Sequence, residues 1–256
     1  LGKLVGVYDD NRISLDGPTT LTFGDDVPWR FAAAGWRVLH VADGNDAAEL
    51  SRVLGEAEET DGRPTLVVAR TIIGFGAPNK AGTADAHGSP LGPEEAAAAK
   101  AASGLSPDET FQVPDEVAAW SGELTERGLR HEVEWGEKME AYRSAFPTEA
   151  AELERALSGE LPAGWADALP TIAPDAEPVA SRKASGTAIN ALAGVIPELI
   201  QGAADLSVST STTISDSTAV APGDFSGRNI MFGVREHAMA AITNGLAVHG
   251  GFRPVC

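Results

Sequence analysis

Oxygen-bearing residues follow the first apolar run of the sequence and could hold a metal ion. Residues 4–8 have the pattern of a strand, which Asp9, Asp10 and Asn11 end. The Asn11 amide oxygen and the Ile13 backbone carbonyl can point at one hard cation such as Mg²⁺. The carboxyl end of a parallel strand is also where open α/β sheets bind ligands. The same residues are typical of a plain turn, so the motif alone leaves both interpretations open.

The segment from Ile72 to Gly92 is rich in glycine and has almost no hydrophobic periodicity. Its glycines let the backbone approach a ligand closely, and a loop of this length inside a domain is usually functional or disordered. His87 is the one histidine in the segment. Near neutral pH it could donate to a diphosphate oxygen or to a substrate oxygen. The alternative is a surface-loop histidine without a function.

A third candidate is Glu236, at the start of a helix made otherwise of small and apolar residues. A first-turn glutamate is favoured by the helix dipole and is commonly only solvated. The functional interpretation requires Glu236 to be partly buried against a ligand nitrogen, where it could hold a proton.

Alternating strands and helices must position these residues. The apolar patterns predict strands over 4–8, 36–41 and 64–69, and the last of these is apolar enough to be buried on both faces. Asp26 and Asp46 are typical first residues of the intervening helices, the second of which is predicted to run to Thr60. This order predicts an α/β fold, with parallel sheets flanked by helices.

The rest of the chain repeats this alternation. Residues 93–159 are predicted to be helical, with breaks at prolines, and the Pro-rich residues 161–180 are predicted to be a linker. The pattern then predicts a helix over 185–199, a strand beginning at 205–209, a strand over 229–233 and a helix over 236–248.

The composition excludes some functions. With 37 acidic and 19 basic residues, the formal charge is −18, which argues against binding nucleic acid or an anionic membrane surface. No apolar run is long enough to span a bilayer. A single cysteine, Cys256, fits a reducing cytoplasm. Because the chain begins at Leu1 without Met and stops just after a glycine turn, we expect it to be a fragment.

Together these segments resemble transketolase, a thiamine-diphosphate enzyme that moves two-carbon ketol units between sugar phosphates. The resemblance extends along nearly the whole chain and is most specific in two places. One is the loop from Ile72 to Gly92, and the other is Gly-Val-Arg-Glu-His-Ala-Met at 233–239 with Asn244-Gly245 and His249-Gly250-Gly251. Shorter matches are residues 1–17, 181–185 and 203–206.

The resemblance implies a role for each candidate at the cofactor. Asn11 and the Ile13 carbonyl would bind the Mg²⁺ or Ca²⁺ ion that holds the diphosphate, and Leu15 would stand near the thiazolium ring. His87 would contact the diphosphate and the reacting substrate oxygen. Glu236 would hydrogen-bond the pyrimidine ring nitrogen and favour the imino tautomer that removes the thiazolium proton.

For the substrate, the resemblance implies that Arg182 and Ser209 grip the sugar phosphate, where arginine offers a fork of donors. On their own, both residues would be interpreted as structural polar groups. Ala84, Thr210 and Asn45 differ from the residues common in the family at these positions, which makes the substrate preference harder to predict.

The resemblance also implies an organisation into domains and subunits. Residues 1–160 would be the second half of the diphosphate-binding domain, 161–180 a linker, and 181–256 the first part of the pyrimidine-binding domain. The family's Gly-Asp-Gly metal motif and third domain have no counterpart here, so we expect the chain alone to be inactive. The family is homodimeric, so Asn11 and Glu236 of one chain would serve two different sites.

Other functions stay open. Dihydroxyacetone synthase, deoxyxylulose-phosphate synthase and a pyruvate dehydrogenase component use the same cofactor, and the loop from Ile72 to Gly92 disfavours the last two. A truncated, non-catalytic remnant that binds the intact enzyme is an alternative outside the enzyme class.

Overall fold

The computed structural model describes residues 1–59 and 61–256, which divide into two compact units, Leu1–Ser121 and Gly122–Cys256. Each unit contains a parallel sheet with helices packed on it. Thr60, the predicted last residue of the second helix, lies outside the described residues.

The first unit alternates strands and helices along most of its length. In chain order its elements are β1 (Val5–Asp10), β2 (Ile13–Ser14), β3 (Gly17–Pro18), a 3-10 turn (Thr19–Leu21), α1 (Val27–Ala33), β4 (Arg37–Val41), α2 (Ala47–Glu58), β5 (Thr65–Arg70), α3 (Asp85–Gly88) and α4 (Pro93–Ala102). The helix α5 (Asp115–Ala145) begins in this unit and continues into the second.

The sheet of the first unit has the order β1-β5-β4, and all of its strands are parallel. Val5 and Arg37 both lie opposite Thr65, so the carboxyl ends of the strands reach one edge together. The central strand β5 is buried from Thr65 to Ala69. The prediction of a strand buried on both faces is therefore confirmed.

The helices α1 and α2 begin at aspartate caps, Asp26 and Asp46, and α2 packs on the sheet through one apolar face. Asp46 Oδ1 accepts hydrogen bonds from the backbone N–H groups of Ala48 and Glu49, at 2.9 and 3.2 Å. The cap aligns α2 so that Val53 and Ala57 pack against the sheet. The hairpin of β2 and β3 was not predicted, because each of its strands is only two residues long.

The second unit holds a second parallel sheet, of order β7-β6-β8. After α5 its elements are α6 (Pro147–Ser158), a 3-10 turn (Trp165–Ala168), α7 (Ser181–Ala193), β6 (Leu199–Ala203), α8 (Ser207–Thr210), β7 (Asn229–Met231), α9 (Glu236–His249) and β8 (Arg253–Val255). Its core contains Ile189, Ala193, Ile196, Leu199 and Ile214.

The predicted boundaries around β6 were wrong. The helix α7 ends at Ala193 and not at Leu199, because Gly194 follows it and Pro197 has no N–H to donate. The strand then lies over Leu199–Ala203, earlier than predicted. Residues 207–210 form a helical turn in place of a strand, since both the N–H and the hydroxyl of Thr210 donate to the Leu206 carbonyl.

The other large elements agree with the sequence pattern. The helix α9 covers the residues predicted for it, and the α/β class with parallel sheets is confirmed. Leu161 and Trp165, in the Pro-rich segment, pack against the core of the second unit. Within residues 1–59 and 61–256, no helix combines the length and apolarity needed to cross a membrane.

Candidate cofactor and substrate sites

The turn after β1 contains the two residues of the predicted metal site. Asn11 Oδ1 accepts a hydrogen bond from the Ile13 N–H at 2.9 Å, and Arg12 between them has a left-handed φ of 59°. This Asx turn fixes the amide and leaves one lone pair of Oδ1 for another partner. The sequence therefore brings the two predicted ligands, Asn11 and Ile13, into one tight turn.

The neighbouring carboxylates are engaged by the adjacent strand. The hydroxyl of Thr71 donates to Asp9, and the Asp10 carboxylate forms ion pairs of 3.6 Å with Arg12 and 3.7 Å with Arg70. Arg70 also donates to the Asp10 backbone carbonyl at 2.6 Å. These contacts join the ends of β1 and β5. Across residues 1–59 and 61–256, no group of three or more His, Cys, Asp or Glu side chains could hold a metal ion.

Leu15 lies at the tip of the hairpin formed by β2 and β3 and is exposed. A Cβ atom built on Gly88 would lie 3.8 Å from Leu15 Cδ1, which is ordinary van der Waals contact. The structure thus brings Leu15 next to the turn that carries His87. Leu15 therefore lies beside the residue that follows His87, although 72 positions separate Leu15 from His87 in the sequence.

His87 belongs to the short helix α3 and is exposed. Its backbone N–H donates to the Ala84 carbonyl at 2.9 Å, and within the part of the chain that is described its imidazole has no hydrogen-bond partner. Gly74, at φ 65°, folds the loop back against this turn, and a Cβ atom there would lie only 2.8 Å from Ala86 Cβ. A glycine at 74 is therefore required by both conformation and space.

The base of this loop is held by a carboxylate that the sequence analysis missed. Glu95 is buried and accepts hydrogen bonds from the Asn79 side chain at 2.8 Å, from the Asn79 N–H at 2.7 Å and from the Lys80 N–H at 3.0 Å. These donors, the Asn79 side chain first, lower the pKa of Glu95. The ammonium group of Lys80 in turn donates to the Leu91 carbonyl at 3.0 Å. Because Glu95 lies in the first turn of an alanine-rich helix, its sequence context suggests only a solvated, dipole-favoured glutamate.

In the second unit, the predicted phosphate-binding residues lie on two helices that pack together. Arg182 is in the first turn of α7 and Ser209 is in α8, and both are exposed. Their sequence neighbours Lys183 and Val208 line an open cleft of about 590 Å³ between α7 and residues 207–215. The nine residues that line the cleft include one cation and no carboxylate, which suits an anionic group.

Glu236 is the first residue of α9 and is exposed. Arg235 just before it donates through Nη1 to the Phe232 carbonyl at 3.0 Å, and Gly233 supports this bend with a φ of 65°. Val234, on the same bend, is 76% exposed. The functional interpretation of Glu236 requires a partly buried carboxylate, and within this chain the residues around it leave it open to solvent.

The site residues therefore form two groups. Asn11, Ile13, Leu15 and His87 belong to the first unit, whereas Arg182, Ser209 and Glu236 belong to the second.

Comparison with known proteins identifies the class of both units. Residues 1–162 match the family described as "Transketolase, thiamine diphosphate binding domain", and residues 177–256 match "Transketolase, pyrimidine binding domain". The chain is thus an α/β protein with the thiamine-diphosphate-binding fold. It belongs to the transketolase family.

Individual relatives agree over almost the whole chain. Transketolase of Geobacillus stearothermophilus is 45% identical over 254 residues, and transketolase 1 of Vibrio parahaemolyticus is 48% identical over 259 residues. Each alignment covers 99% of this chain and 38% of the relative. The solved structure of transketolase from Leishmania mexicana superposes with a TM-score of 0.89 at 39% identity, over 99% of this chain and 38% of that one. A Pichia stipitis transketolase in complex with sedoheptulose 7-phosphate superposes with a TM-score of 0.88 at 37% identity, with the same coverage.

Proposed function

We propose that this chain is part of a transketolase that transfers a two-carbon ketol unit from a ketose phosphate to an aldose phosphate, in the pentose phosphate pathway. The observation that carries the proposal is 45–48% identity to named transketolases over 99% of the chain. The Pichia stipitis relative was solved with a sugar phosphate, which supports the same substrate class here. Because the chain spans 38% of the length of these relatives, activity, substrates and partners are proposed for the longer protein.

The first unit would bind the diphosphate end of thiamine diphosphate and its metal ion. The Asn11 amide oxygen and the Ile13 carbonyl are hard oxygen donors of the kind that Mg²⁺ and Ca²⁺ prefer, and the Asx turn orients the amide oxygen by its hydrogen bond from the Ile13 N–H. Leu15 would stand near the thiazolium ring. His87, whose imidazole is exposed, would donate to a diphosphate oxygen and to the reacting oxygen of the substrate.

The second unit would bind the pyrimidine ring and the sugar phosphate. When bound, thiamine diphosphate supplies a carbon nucleophile for ketol transfer, so the protein contributes orientation and proton positions. Glu236 would hold a proton at the pyrimidine ring nitrogen. Arg182 and Ser209, whose sequence neighbours Lys183 and Val208 line the cleft between α7 and residues 207–215, would bind the phosphate of the sugar.

We further propose a homodimer whose sites are shared between subunits. The apolar surface of α9 supports this, since none of its residues is buried in the chain and Val248 is 88% exposed. The family matches support a diphosphate-binding part over 1–160 and a pyrimidine-binding part over 181–256, joined by residues 161–180. We also propose a cytoplasmic location, which the single cysteine of the sequence supports.

The test is ketol transfer by the longest natural polypeptide that contains this chain. Xylulose 5-phosphate and ribose 5-phosphate should support turnover in a coupled assay with thiamine diphosphate and Mg²⁺. Glu236→Gln should lower kcat by about 100-fold or more, the scale of a lost proton-transfer group. The control Glu132→Gln removes the same charge from an exposed position on α5 and should leave turnover unchanged.

Two results would overturn the assignment. Turnover with formaldehyde as acceptor but none with ribose 5-phosphate would favour dihydroxyacetone synthase. Complete inactivity with tight binding to an intact transketolase would favour the non-catalytic alternative. The 256-residue chain alone should show no turnover, and measured ketol transfer by it would contradict that expectation.

A further inference from the structure

The backbone of α7 lies directly against the segment that carries Ser209. Gly186 is buried on α7, and a Cβ atom built there would fall far inside the van der Waals distance of the Ser211 carbonyl oxygen. The same atom would lie 3.0 Å from Ser211 Cβ. Ser211 adopts a left-handed φ of 59° at this contact. Any side chain at 186 would therefore push residues 207–213 away from the helix.

Asn190, one turn further along α7, ties the helix to the same segment. Its Nδ2 donates to the Thr213 carbonyl at 2.9 Å and to the Gly186 carbonyl at 2.9 Å. Its Oδ1 accepts from the Ser215 N–H at 2.8 Å. Both donors and the acceptor of the amide are used, so the side chain has one orientation. Asn190 thus fixes the distance between α7 and the segment at two points.

On either side of Ser215 the segment is also anchored to the sheet, by a different amide. Asn229 is 1% exposed; it accepts from the Ile214 N–H at 2.9 Å and donates to the Ser217 carbonyl at 2.8 Å. Ile214 and Ser217 are therefore fixed to the sheet, whereas Thr213 and Ser215 are bound to α7 through Asn190. The residues nearer to Ser209 take their position relative to α7 from two contacts, Gly186 with Ser211 and Asn190 with Thr213.

We propose that Gly186 and Asn190 are positioning residues that set the spacing between Arg182 and Ser209 and so determine selectivity for a phosphorylated sugar. The inference rests on the proposed function, in which these two side chains bind the sugar phosphate. Arg182 lies one turn before Gly186 on the same helix, and Ser209 lies two residues before Ser211. A phosphate held by side chains from two elements needs a fixed distance between those elements, because a displacement of about 1 Å weakens such binding strongly.

The experiment compares two acceptors in the longest natural polypeptide that contains this chain. One acceptor is an aldose phosphate and the other is the same aldose without its phosphate. Asn190→Ala should raise the KM for the aldose phosphate about 10-fold, change kcat little, and leave kcat/KM for the unphosphorylated aldose within about 2-fold of the parent value. Gly186→Ala should act in the same direction. Ser185→Ala, on the exposed side of α7 and outside the cleft, is the matched control and should change neither value.

A purely structural role would lower kcat/KM equally for both acceptors, and that result would overturn the proposal. Should Gly186→Ala not fold, Asn190→Leu provides a second test. It removes all three hydrogen bonds of the amide while nearly keeping the size of the side chain and adding no charge to the cleft, so we expect a KM change in the same direction as for alanine. Arg182→Met, measured in parallel, separates the two hypotheses. If Arg182→Met lowers kcat/KM only for the aldose phosphate, whereas Asn190→Ala lowers it equally for both acceptors, only the positioning inference fails. If Arg182→Met lowers kcat/KM equally for both acceptors, the assignment of Arg182 to the sugar phosphate fails, and the positioning inference fails with it.

Discussion

Arg155 on α6 and Glu198 just before β6 form a two-pronged ion pair, with Nη1–Oε1 and Nη2–Oε2 distances of 2.8 and 2.9 Å. The Glu198 side chain is 7% exposed. Its backbone carbonyl accepts from the Arg253 N–H at 2.9 Å, where β8 joins the sheet. The pair therefore joins α6 to the sheet of the second unit. The match to the diphosphate-binding family extends to residue 162 and therefore includes α6. In the fold, however, α6 belongs to the second unit, which also holds the match to the pyrimidine-binding family.

Removing the charge of Glu198 should destabilise the second unit. Glu198→Gln leaves the Arg155 guanidinium largely buried without its anion, and we expect the free energy of unfolding of the 256-residue chain to fall by about 2–4 kcal/mol. Urea denaturation followed by circular dichroism measures this. Glu154→Gln, also on α6, breaks the exposed pair between Glu154 and Arg143 of α5 and should have little effect. Equal losses in both variants would contradict a special role for Glu198.

The same carboxylate should make stability sensitive to acid. Hydrogen bonds from Arg155 lower the pKa of Glu198 below its ordinary value of 4.5. A carboxylate whose pKa is lower in the folded state stabilises the fold above its ordinary pKa, and this contribution is lost as the pH falls through the folded value. The urea concentration at the midpoint of unfolding, measured between pH 7 and pH 3, should therefore decrease once the pH is lowered below about 4.5. This decrease of the midpoint with pH should be smaller in Glu198→Gln. The same pH dependence in the variant and the parent would show that Glu198 is not its cause.

The sequence predicts local structure better than the contacts between segments. The strand β5 and the cap of α2 by Asp46 follow from periodicity and residue type, which act over a few neighbours. Glu95 and Asn190 could not be predicted as anchors, because their partners are 15 to 25 residues away and only the fold brings them together. The strand β6 was misplaced for a related reason, since burial by distant segments and not local alternation determines where it lies.

Glu95 should control the order of the loop that carries His87. Glu95→Gln removes the charge and replaces one of the two acceptor oxygens with an NH₂ group, so the donor that now meets that oxygen loses its acceptor and the base of the loop should loosen. Hydrogen exchange of residues 79–92 in the 256-residue chain should become faster by about 10-fold, which corresponds to the loss of about one hydrogen bond. Glu94→Gln is the control, because this exposed neighbour carries the same charge. Unchanged exchange in Glu95→Gln would show that the loop is held by other contacts.

Replacing Gly74 with alanine should cost more stability than the same replacement at a glycine of similar conformation that has no close neighbours. Gly74→Ala combines a φ of 65° with a Cβ contact of 2.8 Å to Ala86, whereas Gly104→Ala has a φ of 75° and nothing within 4 Å. Conformational strain alone costs about 1 kcal/mol, so Gly104→Ala should lose about that much stability and Gly74→Ala about 1–2 kcal/mol more. Chemical denaturation of the two variants gives the difference. Equal costs would mean that the loop relaxes freely around residue 86.

The oxygen of Asn11 should govern the metal requirement of the longer protein. Asn11→Ala removes the proposed metal ligand and also the acceptor for the Ile13 N–H, so the Mg²⁺ concentration for half-maximal ketol transfer should rise about 10-fold or more. Asn11→Asp keeps an oxygen for the metal ion and an acceptor for the Ile13 N–H, so its half-maximal Mg²⁺ concentration should stay much nearer to that of the parent. The pair separates ligation from the turn when hydrogen exchange at Ile13 is measured alongside. If Asn11→Ala frees the Ile13 amide but leaves the Mg²⁺ dependence unchanged, Asn11 shapes the turn and does not bind the metal.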